Sequence, residues 1–309
     1  MQKQDFTLEA TGTKWFISWW IESASKQDSQ RVWESCVMLI EEFERTYSRF
    51  NKDSFLSRLA EHSGRLTVPQ DFIRMLHIYD DLYRRSAGRI TPLGGQLISD
   101  LGYDREYAFI QKKTNQTVPG FSEVLHIINS QEIFIEKGLT FDLGALGKGF
   151  LIDRVMENIR KNTSIKRVLI NAGGDIAHYA HDEKKARIAL EHPEDQTKAL
   201  GVVEIGNEAL ASSGVRKRQW SGGGKQLHHI IDPLTGNSSS GVLASWVIHP
   251  RAAIADALAT SLFLTNAKNL NSLYDFDHAL ITNDGRMRCG KRFEKVFEDF
   301  LTDSFSQVL

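Results

Sequence analysis

Residues 13–22, TKWFISWWIE, place Trp15, Ile17, Trp19 and Ile21 at every second position, the period of a strand with one buried face. Over 29–47 the period changes: Val32, Trp33, Cys36, Val37, Ile40, Phe43 and Tyr47 recur at helical spacing. Phe72, Met75, Leu76, Tyr79, Leu82 and Tyr83 repeat that pattern over 70–86, and Gly88 ends the predicted helix. The aromatic residues of both stripes read as core. EIFIEKGLTFDL (132–143) predicts a hairpin with Lys137-Gly138 near its turn. A glycine-rich segment follows, then a helix through Ile152, Val155, Met156 and Ile159.

RVLINAGGD (167–175) reads as a strand entering a tight turn, with short strands at 186–191, 201–206 and 209–212. The stretch 222–237 reads as loop, strand and turn; ASWVIHP is a strand, and AAIADALATSLFL (252–264) is an unusually apolar helix. A hairpin turning at Asn283-Asp284-Gly285 and a helix over about 292–302 close the chain. Strands and helices mix without regular alternation. That order predicts an α+β fold, with mixed or antiparallel sheets flanked by helices, rather than a doubly wound parallel sheet. No repeat, low-complexity tract or linker divides the 309 residues.

Composition changes this picture little. Hydrophobic content of 41% and charged content of 25% are those of an ordinary globular chain. A formal net charge of −1 gives no electrostatic case for nucleic acid as a partner. Cys36 and Cys289 stand far apart, show no metal or redox spacing, and read as reduced packing residues. The first residues, MQKQDFTLEATGT, show neither a signal-peptide pattern nor a lipid-attachment cysteine. No stretch approaches the roughly 18 apolar residues of a membrane helix. The expectation is a cytoplasmic protein without membrane insertion.

Candidate chemistry begins at FDLGALGKGFLID (141–153), which has the glycines and lysine of a phosphate loop but the wrong spacing. Only two residues separate Gly144 from Gly147, and Gly149 rather than Ser or Thr follows Lys148. Asp256 lies within the apolar helix 252–264, with Thr260 four residues later on the same face. A buried carboxylate needs a compensating charge or metal. Asp256 and Thr260 suit part of a Mg²⁺ shell, or equally a first-turn cap with a back-bonding threonine.

Gly222-Gly223-Gly224 before Lys225 reads as an anion-binding loop or a flexible hairpin tip. His228 and His229 enter a strand, so only one of them can face a given site. That histidine would act as a general base or merely form a hydrogen bond. Asp232-Pro233-Leu234-Thr235-Gly236 is a turn by composition. Gly173-Gly174-Asp175 and Ser212-Ser213-Gly214 each offer close backbone approach to a ligand, or simply a turn. Together these segments point to a diphosphate ligand gripped by glycine-rich turns beside a metal.

The order of motifs carries a resemblance. D-L-G-A-L-G-K-G-F-x-x-D (142–153), G-G-D (173–175), S-G (213–214), H-I-I-D-P-x-T-G (229–236) and A-D-A-L-A-T (255–260) resemble the ApbE family, the FAD:protein FMN transferases or flavinyltransferases. G-T-x-W (12–15) and S-R-F-N-x-x-S-x-L-S-R-L (48–59) extend it over most of the chain. The resemblance implies one ApbE-like, T-fold-related domain over 1–309, with room for two subdomains around a central FAD cleft. It implies FAD as donor, Mg²⁺ as cofactor, and an acceptor protein whose threonine hydroxyl attacks the FMN-side phosphorus while AMP leaves.

By the same resemblance, Asp256, Thr260 and the backbone carbonyl of Ala145 bind the metal. Asp142, Lys148 and Ile230 contact the flavin nucleotide, as does Ser213-Gly214. Lys148 neutralises diphosphate charge, and His229 helps deprotonate the acceptor. The chain departs from the family at ITPLGGQL (90–97), at Leu101 before Gly102 where tryptophan is usual, and at Thr11 where methionine is frequent. Leu93, Gly94, Gly95 and Thr11 therefore stand where relatives line the flavin and adenine pockets. Many relatives are exported lipoproteins, so the expected acceptor here is cytoplasmic or faces the cytoplasm. Two other readings share these residues: an FAD pyrophosphatase giving FMN and AMP, and a non-catalytic flavin-binding protein.

Overall fold

The alternating residues Trp15, Ile17, Trp19 and Ile21 are each at most 3% exposed in the computed structural model. The structure describes residues 1–22, 26–105, 109–112, 117–195, 197–216, 219–222 and 225–296. Strand β1 (Gln2–Ala10) and strand β2 (Thr13–Ile21) form the first hairpin of an eight-stranded sheet. Its remaining strands are β3 (Ile165–Ala172), β4 (Asp175–Ala180), β5 (Ala209–Gly214), β6 (Val242–His249), β7 (Asp277–Thr282) and β8 (Met287–Cys289). Every neighbouring pair is antiparallel and the spatial order is the chain order. The architecture is thus α+β, built on one long meander with insertions.

The longest insertion lies between β2 and β3. It holds helix α1 (Lys26–Tyr47), helix α2 (Gln70–Arg85) and helix α3 (Gly147–Arg160). Helix α4 (Ala252–Ser261) joins β6 to the segment before β7. Apolar residues of all four helices and of β2 and β3 share one core with Ala209, Ala211 and Val247 of the sheet. On the opposite face, Leu210, Trp246 and Ile248 pack with the hairpin Ala186–Glu191/Ala199–Ile205 and with Phe293 and Val296. Alternation along β5 and β6 feeds both layers, as a sheet covered on two sides requires.

Two expectations need correction. Residues 132–143 do not form a hairpin with each other. Glu132–Ile135 is the middle strand of a small sheet, between Gly64–Thr67 and Leu125–Ile127. Gly138 serves a close approach instead: a Cβ there would collide with the Ala60 carbonyl. The chain beyond it is held by hydrogen bonds from Leu139 N to Leu59 O (3.2 Å) and from Asp142 N to Pro92 O (2.7 Å). Nor does Asp256 cap the first turn of α4. That end is capped by Asp153 of α3, whose carboxylate accepts from Ala252 N at 2.7 Å and Ala253 N at 3.0 Å.

Burial pushes the Asp153 carboxyl up to about 6 against the pull of those two amides. We expect Asp153→Ala to cost about 1–2 kcal/mol through loss of the cap. A melting curve that matches the parent would remove this role. Of the final predicted helix, residues 291–296 are helical and the rest lies outside the described residues. Gly223 and Gly224 also lie outside them, as does the side chain of Lys225. No described helix is long and apolar enough to cross a membrane.

Candidate active site

Several turns meet at one end of the large sheet. The β3–β4 turn is Gly173-Gly174, with φ of +64° and +102°. These values are open to glycine at little cost. A Cβ on Gly173 would also strike Thr13 at the start of β2. Asp175, the first residue of β4, is buried; its Oδ1 accepts from Ser212 N of β5 at 3.1 Å. Its Oδ2 pairs with the ammonium of Lys148. The lysine of the glycine-rich segment therefore stands in the first turn of α3 and aims at the start of β4.

Gly149 explains why no Ser or Thr follows that lysine. A side chain there would meet the Ala252 carbonyl and, at 2.7 Å, Cβ of Asp256. The missing side chain lets α3 and α4 touch, and Gly149 N donates to Asp256 Oδ2 at 2.8 Å. Asp256 is only 4% exposed within an almost wholly apolar helix. One turn later, Thr260 Oγ1 lies 3.1 Å from Ser213 Oγ at the end of β5. Lys148 with Asp175, Ser213 with Thr260, and Asp256 with Gly149 N thus make three polar contacts that join α3 to β4, β5 to α4 and α3 to α4.

Asp142 sits just before α3. Its Oδ1 accepts from Gly144 N at 2.7 Å, and its Oδ2 meets Arg49 Nε at 2.6 Å. Arg49 also donates to Tyr103 O at 2.9 Å and lies over the rings of Phe50 and Tyr103. The segment holding Leu93, Gly94 and Gly95 packs directly beside this turn. Leu93 is in the core, and a Cβ on Gly95 would lie 2.7 Å from Thr140 O and 2.8 Å from Phe141 O. The departure at Leu101 has a visible partner: Trp220 donates its indole N–H to Leu101 O at 2.8 Å and stacks on Tyr103.

Only the first of the two histidines is in a strand, Lys225–His228; His229 follows in a bend. His228 is buried; its Nε2–H donates to Ser239 O at 2.9 Å and its Nδ1 accepts from Ile230 N at 3.3 Å. That pattern fixes the neutral Nε2–H tautomer. Burial lowers the His228 pKa, outweighing the Ser239 carbonyl that raises it. His228 is therefore committed to structure, which leaves His229, half-buried just beyond the strand Lys225–His228. Ile230 is buried against Val215 and Phe263, the latter just beyond α4.

Thr11 stands apart from these polar contacts in its bonding. It occupies the β1–β2 turn at φ +53°, its hydroxyl donates to Ala10 O, and its amide donates to Glu44 at 3.2 Å. Gly214 closes β5, with Leu243 O at 3.8 Å from a built Cβ. Three residues in contact with the site had no role in the sequence reading: Asp175, Arg49 and Tyr79, whose hydroxyl donates to Asp142 O at 3.3 Å. Asp175 and Arg49 lie inside quoted motifs, where a charge beside glycines or aromatics is the available signal. Tyr79 carried no signal beyond its place in a helical stripe.

Among the described residues no group of three His, Cys, Asp or Glu could hold a metal ion. The site offers instead the buried carboxylates of Asp175 and Asp256, the first paired with Lys148, and the hydroxyls of Ser213 and Thr260, oxygen donors of the kind that suit a hard cation sharing its shell with phosphate.

The arrangement is that of an α+β protein with a lysine and buried carboxylates gathered at one end of an antiparallel sheet. The family model described as the ApbE family matches residues 11–281, and the chain belongs to that family. Curated relatives named FAD:protein FMN transferase include one from Haemophilus influenzae, 25% identical over 82% of this chain and 78% of its own length. Another, from Escherichia coli K12, is 26% identical over 82% and 76%. Among solved structures, the ApbE protein of Thermotoga maritima superposes with a TM-score of 0.83 at 20% identity, covering 96% of this chain and 99% of that one. The flavin transferase ApbE of Vibrio cholerae gives 0.76 at 23% identity, covering 95% and 99%. These two likenesses establish the fold.

Proposed function

We propose that the protein transfers FMN from FAD to a threonine hydroxyl of an acceptor protein, with Mg²⁺ and release of AMP. The threonine oxygen forms a bond to the FMN-side phosphorus. The bond from that phosphorus to the bridging oxygen breaks, and AMP leaves with that oxygen. The hydroxyl proton passes to His229. The observation that carries this reading is the set of polar contacts Lys148–Asp175, Ser213–Thr260 and Asp256–Gly149 N across α3, β4, β5 and α4. A diphosphate needs cations and hydrogen-bond donors in one place, and phosphoryl transfer depends mainly on positioning and charge neutralisation. The names of the curated relatives support FAD as donor and a protein as acceptor.

In this reading Asp256, Thr260 and the Ala145 carbonyl would hold Mg²⁺, which when bound supplies positive charge to the diphosphate. Lys148 supplies a second charge to it from the first turn of α3. Asp142 orients polar groups of the nucleotide, and Leu93, Gly94, Gly95, Ile230 and Gly214 shape its surroundings. His229 accepts a proton; His228, locked by two hydrogen bonds, has no such freedom.

The deciding test incubates the protein with FAD and Mg²⁺, with and without a co-expressed acceptor domain. Mass spectrometry should find an added FMN on an acceptor threonine. Rapid AMP release with no labelled protein would instead identify an FAD pyrophosphatase, and binding without turnover a flavin carrier. We further expect His229→Ala to slow transfer by about a hundredfold or more, within the span of general base catalysis, while FAD binds almost as before. Equal losses in rate and in FAD affinity would reduce His229 to a contact residue.

A further inference from the structure

Tyr79 lies in the middle of α2, 1% exposed and surrounded by core residues. A phenylalanine would fill that space equally well, and a buried hydroxyl is costly unless it is hydrogen-bonded. Here the hydroxyl is used on one short segment: it donates to the Asp142 carbonyl at 3.3 Å, and the Ala145 backbone favours the same oxygen electrostatically. Within the segment, Gly144 N donates to Asp142 Oδ1 at 2.7 Å and Leu146 N and Gly147 N donate to Leu143 O at 3.2 and 2.8 Å; from outside it, Arg49 Nε pairs with the Asp142 carboxylate at 2.6 Å. Asp142 N, at its start, is held by Pro92 O. Arg49 thus holds the Asp142 side chain, while Tyr79 ties the backbone of the turn to helix α2.

Burial is the main cause that raises the Tyr79 pKa well above that of a free phenol, and the nearby carboxylates of Asp142 and Asp256 add to it. The group stays protonated as a donor and is no proton acceptor. The buried ring keeps Tyr79 from touching a substrate directly.

We propose that Tyr79 is a positioning residue for the flavinyl transfer proposed above: its hydroxyl clasps the 142–145 turn, so that the Asp142 carboxylate and the Ala145 backbone are held in place beside Asp256. The inference rests on that functional reading for its consequence in catalysis, while the clasp itself is a property of the fold.

Tyr79→Phe keeps the ring and removes the clasp. In hydrogen-exchange mass spectrometry, peptides spanning 141–147 should exchange about fivefold to tenfold faster, as loss of buried hydrogen bonds implies. Protection of α2 should be unchanged. Transfer should slow by about tenfold, and half-maximal rate should require more Mg²⁺. Tyr47→Phe, which removes another buried phenol on a neighbouring helix, is the control and should leave the turn as it was. Unchanged exchange over 141–147 in Tyr79→Phe would overturn the proposal. So would faster exchange spread equally over α2, or a fully unfolded variant, because either assigns the residue to packing. If the parent protein transfers no FMN at all, the functional reading fails, and the exchange data still decide the clasp.

Discussion

Asp256→Asn should fold like the parent and lose FMN transfer by at least about a hundredfold, the scale on which removal of one preorganised electrostatic group acts. The substitution is nearly isosteric. The side-chain oxygen of asparagine can still accept from Gly149 N, which lies 2.8 Å from the carboxylate, so the α3–α4 contact survives. What disappears is the negative charge. Asp256→Ala should lose the same activity and in addition leave Gly149 N without this acceptor, a cost of about 1–3 kcal/mol. Melting curves and a Mg²⁺ titration of the transfer rate separate the two effects. Full Mg²⁺-dependent turnover by the asparagine variant would mean that the cation is held elsewhere.

Much of this arrangement could be read from the chain, and the failures have physical causes. The period of β2 and the apolar run of α4 were legible because burial on one or all faces leaves a strong pattern. β1 was not, because QKQDFTLEA is an edge strand whose inward residues are mostly half-buried. Lys137-Gly138 mimicked a hairpin turn, but the glycine is there for the Ala60 carbonyl. In the site, the sequence supplied Lys148 and Asp256 through their neighbours. It could not supply the pairing of Lys148 with Asp175, because that bond joins the start of α3 to the start of β4 across the fold. Asp153 illustrates the same limit: its carboxylate caps a helix that begins far along the chain. Long-range polar contacts leave no periodic trace.

The Lys148–Asp175 pair yields the second large effect, because removal of the lysine acts twice. Asp175 is 2% exposed, and its Oδ2 faces the lysine ammonium. Lys148→Met would leave a carboxylate buried without this cation. That costs about 3 kcal/mol, the lower end of the range for breaking a buried pair, since the Lys148 side chain keeps 24% of its surface exposed. The same variant loses the charge assigned to the diphosphate, so transfer should fall by about a hundredfold or more. Adding Asp175→Asn should separate the two losses. Asparagine keeps the acceptor for Ser212 N and removes the stranded charge, so the double variant should regain most of the lost stability. Its FAD affinity and transfer rate should stay low, because no ammonium has returned. Recovery of transfer together with stability would show that Lys148 serves the fold alone, and the diphosphate would then need a different cation.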